Sequence, residues 1–156
     1  MTPDDAPFIL ELLNDPAFVH FVGDRGLRTV EDASAYLLAG PIASYDRHGY
    51  GMYLTARKAD GAPIGICGLV RRETFDAPDV GFAFLPAFRG RGYAYESAAA
   101  VMAHARHELG LRRVLAIVDP ANARSVRLLE KLGLMCEANV QLGDAERTNA
   151  LYALNA

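Results

Sequence analysis

The chain has 156 residues, 51% of them hydrophobic and 22% charged, which allows one domain with a real core and excludes a disordered, collagen-like or coiled-coil chain. Sixteen Lys and Arg against nineteen Asp and Glu leave a net charge of −3, which argues against general nucleic-acid binding. No apolar run reaches the length of a membrane span, and Asp4 and Asp5 stand where a secretory signal would be basic.

The first predicted helix opens at Thr2-Pro3-Asp4-Asp5, with Thr2 as N-cap, proline in the first turn and acids behind it, and ends at Asn14-Asp15-Pro16. Thr29-Val30-Glu31-Asp32 starts a second helix, expected to run to about Ala39 before Gly40-Pro41. Strands follow at 50–57, 64–72 and 79–85, the first two joined by a turn at Ala59-Asp60-Gly61-Ala62-Pro63. From Gly92 to Leu109 the apolar residues take helical spacing, and Gly110 followed by Leu111 reads as a Schellman end. Val114 to Val118 is a short apolar strand of central type. A helix from about Asn122 ends at Gly133-Leu134 in the same way, and strands around 135–142 and 148–154 close the chain. The order ααβββαβαββ predicts an α+β (α/β three-layer) fold, a sheet with helices on its faces, as one domain over 1–156.

The chemistry concentrates in one loop. The strand at 79–85 stops at Pro86, and Arg89-Gly90-Arg91-Gly92-Tyr93-Ala94 leads at once into the long helix. A helix N-terminus presents unpaired N–H groups and positive potential. Glycines let backbone approach a ligand, and the arginines would add cationic donors, so the loop reads as a pyrophosphate cradle. Only Lys58 and Lys131 are lysines; the other cations are arginines, which suit planar phosphate recognition. Neither a Walker-type nor a dinucleotide-binding glycine motif is present. A glycine-rich connector without a ligand is the plainer alternative.

Arg89-Gly90-Arg91-Gly92-Tyr93-Ala94 resembles the [Gln/Arg]-x-x-Gly-x-[Gly/Ala] signature of the GCN5-related N-acetyltransferases (GNAT). Asn122-Ala123-Arg124-Ser125 with Glu130-Lys131-Leu132-Gly133-Leu134 is similar to a block of the RimJ/RimL-type ribosomal-protein N-terminal acetyltransferases within that family. The resemblance implies acetyl-CoA as cosubstrate, an amine acceptor and a largely antiparallel sheet splayed between the strands at 79–85 and 114–118. It implies cofactor contacts at Phe84, Arg89, Gly90, Arg91, Gly92, Tyr93, Ala94 and Asn122, with the pantetheine arm bonded to backbone near Phe84. It also implies a strand just before Thr2, where this sequence starts: either that strand is absent or this start lies downstream of the natural one. If it is absent, the 50–57 strand has an open edge that a homodimer is one way to cover.

Direct attack of an amine on a thioester asks for a base and an acid. Asp79 and Glu73 are the base candidates, with a solvated strand-end carboxylate as the alternative for Asp79. Where many members of the family carry a tyrosine acid this chain has Leu129. The resemblance to the ribosomal-protein subgroup, whose serine at this position has the acid role, implies that role for Ser125, which is equally readable as a first-turn hydrogen-bonding residue. The segment from Phe21 to Arg28 is expected to shape the acceptor site, with His20 and His48 as weak neighbours. His104 and His107 read as partly exposed helix residues, and no metal is expected. Cys67 and Cys136, with apolar neighbours and no Cys-x-x-Cys spacing, read as two buried, reduced thiols of a cytoplasmic protein. The expected function is acetyl-CoA-dependent N-acetylation of a protein N-terminus or a small amine; a non-catalytic acyl-CoA sensor or scaffold is the alternative. RNA binding through Arg-Gly-Arg-Gly fits the charge poorly.

Overall fold

The computed structural model describes residues 1–143 and 146–155. Six strands form one sheet in the order β1-β2-β3-β4-β6-β5: β1 Met52–Ala56, β2 Pro63–Val70, β3 Asp79–Phe84, β4 Arg113–Val118, β5 Met135–Gln141 and β6 Thr148–Asn155. All neighbours are antiparallel except β3 and β4, which run parallel and meet in register at Asp79 and Leu115. Beyond that point the two strands diverge, and the sheet splays where the resemblance implies it.

Two helices follow the parallel strands, α5 Tyr93–His107 and α6 Ala123–Lys131. Their apolar stripes (Val101, Met102 and Ala105; Val126, Leu129 and Leu132) pack with Val80, Val114, Ala116 and Tyr152 on one face of the sheet. On the other face Ile66 meets α1 Ala6–Leu13 and α3 Val30–Leu37 through Ile9, Leu12, Leu13, Ala33 and Leu37. Alternation along β3 sends Val80 and Phe82 to the first face and Ala83 to the second. The Schellman ends form as expected, with Gly110 and Gly133 at positive φ and Leu111 and Leu134 donating back to Ala105 and Leu129.

Three expectations change. Asn14-Asp15-Pro16 ends α1 but also starts α2, Pro16–Phe21, because the Asp15 side chain accepts from the Phe18 N–H and Pro16 sits at the first helical position. Gly40-Pro41 does not end the second predicted helix. The chain passes through one wide π turn at Leu38–Ile42, which absorbs the proline, and continues as α4, Ala43–His48, to Gly49. Of the two thiols only Cys67 is buried; Cys136 is exposed, because β5 is an edge strand and its ladder with β6 is irregular between Cys136 and Ala138. His104 and His107 are both exposed. At the other edge of the sheet, the Tyr45 hydroxyl donates to the Met52 carbonyl of β1.

Candidate active site

Because β3 and β4 are parallel, α5 and α6 both begin at the same end of the sheet, where ligands gather in α/β folds. A cavity of about 570 Å³ opens there. One wall is the end of β3 with Phe82, Ala83 and Phe84, continuing into Phe88, Arg89, Gly90, Gly92, Tyr93 and Ala94. A second is the first turns of α6, with Asn122, Arg124, Ser125, Arg127 and Leu128; α2 supplies Ala17, Phe18, Phe21 and Val22.

The β3 wall has backbone to offer. Leu85 N–H donates to the Ile64 carbonyl at 3.0 Å, and Phe84 stands opposite Gly65. The alternation of an antiparallel ladder therefore turns the peptide groups of Phe82 and Phe84 away from β2, toward the opening before β4. Gly65 has to be glycine for this wall: a Cβ would lie 2.5 Å from the Phe84 ring and 2.4 Å from the Ala83 carbonyl oxygen.

The loop is pinned from inside. Arg89 donates through Nε to the Phe84 carbonyl at 3.0 Å and through a terminal nitrogen to Asp15 Oδ2 at 2.5 Å. Asp15 is buried, and the same carboxylate caps α2. The Arg89 charge is thus already partnered, and its guanidinium ties the glycine loop to the end of β3 and to α2. Arg91 does not line the cavity; its guanidinium lies 6.0 Å from the centre of the Phe88 ring, which Arg57 also approaches at 5.3 Å. Gly92 sits at φ 84° with nothing within 4 Å of where a Cβ would stand, and no side chain caps α5. Its first N–H groups therefore have no side-chain acceptor.

Asn122 caps α6 by accepting from the Ser125 N–H at 3.4 Å, which sets Ser125 on the cavity wall. Leu129, where a tyrosine acid would stand, is buried in the core between α6 and the sheet. The base candidates are not brought to the cavity. Asp79 is buried and paired with Arg72 at 2.9 Å rather than solvated, and burial pushes its carboxyl up from the ordinary 3.8 against the pull of that guanidinium. Glu73 is exposed in the β2–β3 connection. His20 lies outside the wall, its ring edge-on to Phe21 at 4.6 Å. Among the described residues no three His, Cys, Asp or Glu side chains gather as a metal site.

Sequence reasoning gave no role to Arg124 and Arg127, although they stand at i and i+3 on the exposed side of an amphipathic helix, a signal of a shared charged face. Ala17 and Phe18 were also missed, because α2 was read as a helix end. Phe21 and Val22 belong to the segment expected to shape the acceptor site.

This fold and site define an acetyltransferase domain: residues 1–135 match the acetyltransferase (GNAT) domain family, and the chain belongs to it. A curated relative, the uncharacterized protein YkkB of Bacillus subtilis (strain 168), is 30% identical over 89 residues, 56% of this chain and 52% of that protein. The match thus spans about half the length of the relative. An acetyltransferase structure from Agrobacterium tumefaciens C58 superimposes with a TM-score of 0.83 at 20% identity, over 100% of this chain and 88% of that one. The structure of RimL, the ribosomal L7/L12 α-N-protein acetyltransferase, in complex with coenzyme A gives 0.84 at 19% identity, over 99% and 90%. Both share the fold.

Proposed function

We propose that this protein is an acetyl-CoA-dependent N-acetyltransferase that acetylates a primary amine in a ternary complex. The observation that carries the reading is the N-terminus of α5, which opens on the cavity without a side-chain cap beside two glycines of positive φ, Gly90 and Gly92. That arrangement suits a pyrophosphate. Arg124 and Arg127 add exposed guanidinium groups at the same cavity, as a donor with several phosphates requires. A cytoplasmic setting belongs to the same reading, and no helix of the described residues is long and apolar enough to cross a membrane.

Acetyl-CoA supplies the activated carbonyl: the amine nitrogen bonds to its carbon, the carbon–sulfur bond breaks, and an amide and a thiol result. In this scheme the N–H of Phe84, turned into the splay, donates to the carbonyl oxygen as charge develops there. Ser125 gives its hydroxyl proton to the departing sulfur and regains one from solvent. Asn122 holds Ser125 and the start of α6 in place. Arg89 and Asp15 hold the loop and carry no proton. The proton that the attacking nitrogen loses passes to water; Asp79, paired with Arg72 at the joined end of β3 and β4, stays outside the scheme.

Thermal unfolding with acetyl-CoA, CoA and NAD tests the donor. At 100 times its dissociation constant a ligand stabilises the folded state by about 2.7 kcal/mol, roughly 5–10 °C for a chain of this size. A shift with the CoA species and none with NAD is expected; equal shifts, or none, would refute the reading.

A further inference from the structure

We infer that the acceptor is a primary amine carried beside an aromatic or branched apolar group, with no second positive charge, and that Phe21 and Val22 select it. The inference rests on the acetyl-donor reading and concerns the α2 wall of the same cavity.

Ala17, Phe18, Phe21 and Val22 give that wall no charge and no polar side chain. Val22 is 48% exposed and Tyr95, also on the cavity, 36%, so two of the exposed large apolar residues of this chain rim one opening. Apolar surface kept wet at a concave site marks a ligand surface. Among the described residues no Asp or Glu lines the cavity. Its cations are Arg89, whose charge Asp15 answers, and Arg124 and Arg127 on α6.

An acceptor with a second ammonium would therefore leave water for a wall that offers it no carboxylate, an unfavourable transfer. An aromatic or branched substituent gains from the same move. The rings of Phe18 and Phe21 are three residues apart, neighbours on one helix face, and suit a flat or bulky apolar group. Such an amine comes from either of two sources, a free arylalkylamine or the N-terminal residue of a peptide.

The test measures thiol release from acetyl-CoA with phenethylamine, with a tripeptide amide beginning in phenylalanine, and with spermidine. One or both aromatic amines should exceed spermidine in kcat/KM by about 100-fold, and the better of the two identifies the source. Phe21→Ala should lower the aromatic value about tenfold and move the acetyl-CoA Kd, measured by calorimetry without acceptor, by less than roughly twofold. Val22→Asp lies at an exposed position that tolerates a charge, and should cut the preference over spermidine about tenfold. Spermidine turned over as well as the aromatic amines, or ratios untouched by both variants, would overturn the inference with acetyl-CoA binding intact. Loss of that binding in the unaltered protein would instead overturn the donor reading and this inference with it.

Discussion

Helices α5 and α6 lie on one face of the sheet and start at the same end, yet they begin in opposite ways. At α6 the Asn122 side chain accepts from the Ser125 N–H, and the helix carries its own side-chain cap. At α5 the N-cap is Gly92, at φ 84° and with no side chain to accept anything. The helix that would gain most from a cap, fifteen residues long against nine, is the one without it. Elsewhere Thr2, Asp15 and Thr29 cap their helices or turns with side chains. In the proposed reading the open start of α5 is a local loss of stability that bound acetyl-CoA makes good.

The sharpest way to break this comparison is Gly92→Glu. The carboxylate would meet the phosphates at the α5 N-terminus, and the acetyl-CoA Kd should rise at least about 100-fold in calorimetry. Gly92→Asn separates charge from strain, since asparagine tolerates this backbone region; binding within about tenfold of the unaltered protein is expected. Ser125→Ala should lower kcat by about 100-fold with little change in acetyl-CoA affinity, as loss of a proton donor does; steady-state kinetics beside calorimetry read both.

Asp15→Asn removes the partner of Arg89 and weakens the α2 cap together. With the Arg89 side chain 29% exposed, about 2 kcal/mol is expected, a fall in Tm of roughly 4–8 °C. Asn122→Ala should cost about 1 kcal/mol through its cap, whereas no substitution at the start of α5 removes a side-chain cap. The smallest effect is a pH signature. Burial raises the folded-state pKa of Asp79 above 3.8, so its contribution to stability is complete below that value and is lost as pH rises through the folded-state pKa. The Tm of Asp79→Asn should therefore gain on that of the unaltered protein between acid and neutral pH, in thermal scans across that range.

Much of the fold was legible because its punctuation is local. Gly110 and Gly133 mark helix ends by a backbone conformation that only a few residues adopt easily, and Asn122 marks a start by a bond three residues long. The glycine loop that leads into α5 was legible for the same reason. What was not legible depends on partners far along the chain. Arg89 looked like a phosphate donor because nothing nearby shows that Asp15, 74 residues away, already holds it. Asp79 looked like an open strand end because Arg72 closes on it only once β2 and β3 pair. Asp15-Pro16 reads equally as a stop and as a start, and the local pattern alone concealed α2.

The carboxylate of Asp15 serves two masters. It accepts from the Phe18 N–H at the head of α2 and holds Arg89, which in turn holds the Phe84 carbonyl. The glycine loop and α2, on two walls of the cavity, are thereby fastened at one point. Opening of either wall is coupled to the other through that carboxylate. In hydrogen exchange, the Phe18 amide on α2 would report when the glycine loop lets go, and acetyl-CoA bound to that loop would slow exchange in a helix across the cavity from α6.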